Sequence, residues 1–381
     1  MAGLSGLSSR NLGRVQNRAL MRLLLRVQAE SHGLLRGFLA DTVGVLAETV
    51  DAEGLVDGVG LVQRLPSIEV AFRAMWARWT AIFEAGRVQA ASIPWGGYVV
   101  MHNSRMGIFE EGSRGGAEAQ RFEEREIDGA DVDAVVRLWQ GRRERALAAG
   151  AQRIGGDGLQ LSQRIWRLES QGLERIRATL LSAMGERTSA RELAKLLEPV
   201  LGAGQDCPRW SMQRLYGMTA GERSVSRAGL FSGEACAGQG IAYNALRLAR
   251  TELQYAHHAM ASEIYANSPW VTGKWVRLSP AHPKIDICDS YAGGGPYESG
   301  DQILPLHPNC MCYYEAALMD VSDFRRQVRG WVAGENGFLD GYRDWSGFDP
   351  LAQLPWVMGL ADALELWLGQ DAAGHAEALG L

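Results

Sequence analysis

Cysteine is scarce in this chain: five in 381 residues, an odd number. So few thiols exclude a secreted disulfide scaffold and leave two special uses, metal ligation or thiolate chemistry. No run approaches the roughly 20 consecutive apolar residues that a membrane-spanning helix needs, and the first residues lack an apolar signal core followed by a cleavage site. The expectation is a soluble protein made in a cytoplasm, with no membrane partner. Charge of one sign is lacking too. The 39 Lys and Arg against 44 Asp and Glu give a formal net charge of -5, too balanced for a general nucleic-acid coat or a disordered chain. Neither an internal repeat nor a low-complexity tract is present. A chain this long buries a substantial core in two or three domains, so no metal is required merely to fold it.

What is present is mostly helical periodicity. From about Asn11 to Val50 apolar residues such as Val15, Leu20, Leu24, Val27 and Leu35 recur on one side. Within that helix Arg10, Arg14, Arg18, Arg22 and Arg26 follow each other at intervals of four and form a slowly winding basic ridge. Such a ridge suits packaged DNA or an acidic partner; it equally suits a solvated helix face. Gly54, Gly58 and Gly60 predict a break, and Pro66-Ser67 a restart that carries Met75, Trp76, Trp79 and Phe83 and ends near Pro94 to Gly97. Tyr98 to Met101 reads as a strand, with irregular charged turns after it to residue 126. Helical spacing returns at Asp131 to Ala149 and at Leu159 to Leu181, and Ser189 to Glu192 forms a capping box opening a helix at 190–201. Cys207 and Cys236 read as buried hydrophobes. Beyond Asp320, Phe324, Val328 and Trp331 share one helix, followed by a Gly/Asp-rich stretch and an acidic amphipathic helix around Trp356 to Leu368. Ten Asp and Glu against four Arg make this end an acidic tail, solubilising or docking on a neighbour.

The chemistry concentrates late in the chain. A helix at 239–266 carries the stripe Ala242, Leu246, Ala249, Leu253, Ala256, Met260 and Ile264. Arg250 and His257 fall on one flank of it, half-buried, and Glu252 on the other, so Arg250 and Glu252 cannot pair with each other. Each needs an external partner, because a desolvated charge left alone is costly. Asp286, Asp289 and Glu298 downstream offer themselves, which predicts that Arg250 and Glu252 clamp the loop. Thr272 to Leu278 and Cys312 to Ala316 read as strands. Between them residues 279–309 hold so many prolines and glycines that regular structure is excluded, and a long irregular loop in a compact domain must be tied down. A bound ion is one way. Cys288, His307, Cys310 and Cys312 offer three thiolates and an imidazole, the ligand types of a structural zinc site, and His282 or Asp289 could replace a member. A single residue between Cys310 and Cys312 is unusual for a zinc knuckle. The alternative is a reduced or disulfide-capable cysteine cluster packed on Trp275.

Taken in order, Leu246 to Glu252, the Trp275 strand, Asp286-Ile-Cys288-Asp289 and Pro305-Leu-His307-Pro-Asn-Cys310-Met-Cys312 resemble the head morphogenesis, or minor head protein, family of tailed bacteriophages, the Mu F type. Leu161 to Trp166 and Ser189 to Leu197 are similar to the helical part that precedes this domain in such proteins. The resemblance spans about residues 155 to 316, and departs at Met311, where members commonly carry arginine. It implies a non-catalytic virion protein, made in the host cytoplasm and held in the capsid interior beside the portal protein, acting in assembly or in genome packaging and ejection.

The expected architecture is mainly α-helical with a small α+β domain near the C-terminal third, made of a helix, short antiparallel strands and a long irregular loop. Its segments are a helical N-terminal region (1–155), a helical connecting region (156–235), the Mu F-like domain (236–318) and the acidic tail (319–381). A different class of function is a hydrolase, with Cys310 as nucleophile and His307 or His257 as base, or with a metal-bound water and Glu252 as acid and base. Closely spaced thiols favour ligation over attack, and a fourth protein ligand closes the position that metal catalysis needs open.

Overall fold

The computed structural model of the chain describes residues 9–49, 55, 57–113, 129–155, 158–186, 193, 196, 197, 200, 241–279, 282, 285–308 and 310–341. Its named elements run α1 (Ser9–Ala47), α2 (Gly58–Ser113), α3 (Gly129–Gln152), α4 (Leu161–Gly185), α5 (Ile241–Ala266), β1 (Val271–Arg277), α6 (Ile287–Gly293), β2 (Tyr313–Leu318) and α7 (Val321–Val332). Among the described residues the protein is mainly helical, with a small two-stranded antiparallel sheet late in the chain. The capping box at Ser189 to Glu192, Cys207, Cys236 and the helix expected around Trp356 lie outside the described residues.

Helix α2 departs most from the sequence expectation. It opens at Gly58 rather than Pro66, because Asp57 caps it: Val59 and Gly60 donate their amides to the Asp57 carboxylate at 3.2 and 2.9 Å. It then runs through Pro94 and absorbs Tyr98 to Met101, so no strand forms there. A proline inside a helix supplies no amide to the carbonyl four residues back, which normally ends or kinks the helix. Here the orphaned carbonyl is that of Ala90, and His257 Nδ1 stands 3.3 Å from it. A carbonyl only accepts, so the imidazole donates and replaces the amide that Pro94 lacks. Gln16 donates to the Pro94 carbonyl itself at 3.3 Å.

The chain divides into two compact units. One draws on Leu23–Gly86 and Ala151–Glu252. Its core is an aromatic ladder, Phe72, Trp76, Trp79 and Phe83, stacked at centroid spacings of 6.1, 4.7 and 5.4 Å, with Phe38 edge-on to Phe72 at 5.6 Å. These rings recur every three or four residues and so share one face of α2. Helix α4 buries Leu161, Leu173, Ile176 and Leu180, whereas Trp166 is 69% exposed.

The other unit draws on Met1–Arg22, Arg87–Gly150 and Leu253–Leu381. Trp95, Tyr98 and Trp139 cluster with centroids 3.9 to 5.2 Å apart. Leu253, Ala256, Met260 and Ile264 of α5 are buried as the stripe predicted. Strands β1 and β2 pair antiparallel with Lys274 opposite Ala316 and Trp275 opposite Glu315. Tyr297, out of the irregular segment, pairs with the other edge of β1 through mutual backbone bonds to Lys274 of 2.9 and 2.8 Å. Helix α7 is capped by Asp320 and buries Phe324 and Val328. The start of α1 lies close to β2: a Cβ on Gly13 would stand 2.7 Å from the Tyr314 carbonyl oxygen, a contact only glycine permits.

Candidate metal centre

The segment between the strands is not wholly irregular. Residues 287–293 form the short helix α6, because a capping box nucleates it: Asp286 accepts from the Cys288 amide at 2.7 Å and Asp289 reaches back to the Asp286 amide at 2.8 Å. That cap places Cys288 in the first turn, fully buried. From the far side, His307 accepts the Cys310 amide on its carbonyl at 3.1 Å, turning the chain so that Cys310 and Cys312 lie buried just ahead of β2. His258 of α5, the neighbour of His257, comes within 3.1 Å of the Cys312 carbonyl and fixes it.

These elements bring the sulfurs together. Cys288 Sγ is 3.7 Å from Cys310 Sγ and 3.2 Å from His307 Nε2, and Cys312 Sγ is 3.9 Å from His282 Nδ1. All three cysteines are free thiols. Ligand atoms at about 2.0 to 2.3 Å from a tetrahedral ion stand about 3.3 to 3.8 Å from each other; the 3.7 Å between Cys288 and Cys310 falls in that range, and the 3.2 and 3.9 Å separations lie just outside it. The ligating atoms form two overlapping trios, Cys288-His307-Cys310 and His282-Cys288-Cys312, with Cys288 common to both. The four residues named from sequence thus gather at one place, and His282 joins them as a fifth.

Electrostatics follow from the crowding. Thiol hydrogen bonds from Cys288 and then Cys312 hold Cys310 well below the usual thiol range, to about 2. The same contact with Cys310 pushes Cys288 up. The opposite directions reflect sulfurs close enough that the charge on one is felt by the other two. Asp289 lies below the usual carboxylate range because of the Asp286 amide and then His282.

The loop is held by other residues than those the sequence suggested. Arg250 and Glu252 are buried and, among the described residues, have partners that the sequence did not suggest. Arg250 Nη2 donates to Gln28 Oε1 at 2.9 Å, and Glu252 Oε1 takes Arg153 at 2.9 Å and Arg164 at 3.0 Å, all partners borne by the helical unit. Trp275 does not floor the cysteines either. It sits half-exposed on the outward side of β1, with the Arg277 guanidinium 5.2 Å from its ring and Gly295 against its edge. His257, half-buried by position on its helix, is fully buried and spent on Ala90.

The loop's actual anchors are Lys274 and Tyr314. Lys274 is fully buried, and its Nζ donates to Ser262 Oγ at 2.8 Å, to the Ser299 carbonyl at 2.9 Å and to the Asp301 carbonyl. Burial pushes this amine down to about 8. The Tyr314 phenol oxygen accepts the amides of Ile303 and Leu304 at 2.8 and 2.6 Å. The signal for Lys274 was present in the sequence: strand alternation puts it on the same inward face as Val276.

No family model, curated protein or solved structure matches the chain.

Proposed function

We propose that this chain is a minor head protein of a tailed bacteriophage, structural rather than catalytic, whose late domain is stapled by a zinc ion. One observation carries the reading: three buried cysteines and two histidines from both ends of a proline- and glycine-broken segment meet in two trios that share Cys288, with neighbouring ligand atoms 3.2 to 3.9 Å apart. Three thiolates and an imidazole favour zinc over harder cations, and a site filled by protein ligands is of the structural kind. The order of the Arg-Thr-Glu helix, the strand and the His-Pro-Asn-Cys-Met-Cys end resembles the order in the phage family, and that resemblance supports the virion reading. The partners this implies are the portal protein and the capsid interior. Arg14, Arg18, Arg22 and Arg26 line up exposed on α1 and suit packaged DNA as a sequence-independent contact.

Elemental analysis of the purified full chain tests the staple: one zinc per chain, lost in Cys310→Ser, is the expected result, and no stoichiometric metal in the parent protein ends the zinc reading. Mass spectrometry of intact particles, with co-sedimentation on portal rings, tests the virion role. Absence from particles would end that part. A gel shift that ignores salt, or no shift at all, would remove DNA from the partners.

A further inference from the structure

We infer that the cluster has a second metal site, so that two ions share the Cys288 thiolate: one with His307 and Cys310, the other with His282 and Cys312. The inference rests on the zinc reading above, whose single retained ion is the first of the two.

The four ligands of one tetrahedral ion all stand about 3.3 to 3.8 Å from each other. Here the donor atoms gather in threes. Within each trio they lie within 4.8 Å of one another, and no four of the described residues do so. Cys310 is grouped with neither Cys312 nor His282. One ion therefore cannot take all five donors where they stand, whereas two ions use every one. Cys288 alone belongs to both sulfur-bearing trios, and a thiolate sulfur keeps lone pairs for a second ion after binding a first. The two halves are alike, each adding one cysteine and one histidine to the shared sulfur. A further trio, His282 with Asp286 and Asp289, is the weaker candidate. Its carboxylates are spent on the amides of the α6 cap, and zinc prefers sulfur to oxygen.

Charge favours the second ion as well. Metal-bound cysteines are thiolates, so the three sulfurs with Asp286 and Asp289 place five formal negative charges together. Among the described residues no lysine or arginine pairs with either carboxylate, whose ionic partners are His282 and His307. One divalent ion offsets two of the five charges, and a second leaves the cluster one short of neutral. Buried, uncompensated charge is costly, and Cys288, Cys310 and Cys312 are all buried. The sites are not equal. Cys288 Sγ and Cys310 Sγ, 3.7 Å apart, already suit one ion, while Cys312 Sγ and His282 Nδ1, 3.9 Å apart, must close slightly. The second ion also meets the positive charge of the first. It is thus the more weakly held, and a chain washed free of loose metal keeps one.

Equilibrium dialysis of the purified full chain against zinc counts the ions, and replacement by cobalt(II) with electron paramagnetic resonance shows whether they share a ligand. One zinc should stay in metal-free buffer and two at saturating zinc. The first equivalent of cobalt(II) should give a high-spin signal that shrinks as the second is added, because a common sulfur couples the ions. Cys312→Ser and His282→Ala should each lower the count at saturation from two to one, abolish the shrinkage and leave the first ion in place. Should a variant not fold, the count and the signal of the parent protein carry the test. A parent that stops at one ion, or two ions whose signals simply add, overturns the inference and leaves the zinc reading standing. An unchanged count of two in both variants puts the second ion elsewhere and overturns it too. A parent that takes up no ion overturns the inference and the zinc reading together.

Discussion

Lys274 Nζ lies 4.4 Å from the centre of the Tyr314 ring, and the two side chains together hold four backbone atoms of the segment 299–304. One approaches from β1 and the other from β2, so the sheet is the frame on which the segment is hung. Lys274→Met keeps the length and removes the donor, leaving the Ser299 carbonyl without this partner and the Asp301 carbonyl with Ser262 Oγ, 3.2 Å away. The expected loss is about 2 to 4 kcal/mol of unfolding free energy, read by urea denaturation. Amide exchange should accelerate within 297–304 before it does in α5.

Glu252 makes a second prediction. It is 1% exposed between Arg153 and Arg164, whose side chains are 30% and 15% exposed. Removing one member of a buried ion cluster strands the others, so Glu252→Ala should cost about 3 kcal/mol. Glu252→Gln, which keeps an acceptor, should cost less. A null effect on the urea midpoint in both variants would show that the arginines reach water without loss.

The exchange between Pro94 and His257 is tested by a double-mutant cycle. His257→Leu orphans the Ala90 carbonyl and should cost about 1 to 3 kcal/mol. In a Pro94→Ala background the helix supplies its own amide, and the same change should cost clearly less. Additive losses would mean that Ala90 is satisfied in some other way.

Acid should weaken the fold through the same histidine pair. Burial, first, and then the neighbouring imidazole hold His257 well below 6.5, while burial takes His258 down to about 4. In the unfolded chain both regain their ordinary affinity for protons. Stability is therefore full above about pH 6.5 and falls as the pH drops toward the folded-state values, by up to about 1.4 kcal/mol per pH unit for each histidine. Urea unfolding at pH 7, 6 and 5 should show this slope, and His257→Leu should flatten it.

Much of the fold was legible because its signals are local. Periodicity in α1, α3, α4 and α5 and alternation in β1 and β2 follow from which side each element buries. The run of α2 through Pro94 was not legible, since the group that rescues it sits on α5, far along the chain. The cysteines announced the cluster by residue type and by their crowding late in the chain. The roles of Arg250 and Glu252 did not follow from theirs: helix geometry shows that a charge needs a partner but not that the partner is Gln28, Arg153 or Arg164. The same holds for His282 and Asp289, which are joined only once α6 forms.

The glycine at position 13 touches the backbone at position 314, so the first and last thirds of the chain must both exist before this unit can close. Helix α1 meets α2 soon after both are made, through Phe38 on Phe72 and Gln16 on Pro94, but its contact at Gly13 waits for about 300 further residues. Any truncation before β2 would leave that one end of α1 without its neighbour while the rest of the helix keeps its own.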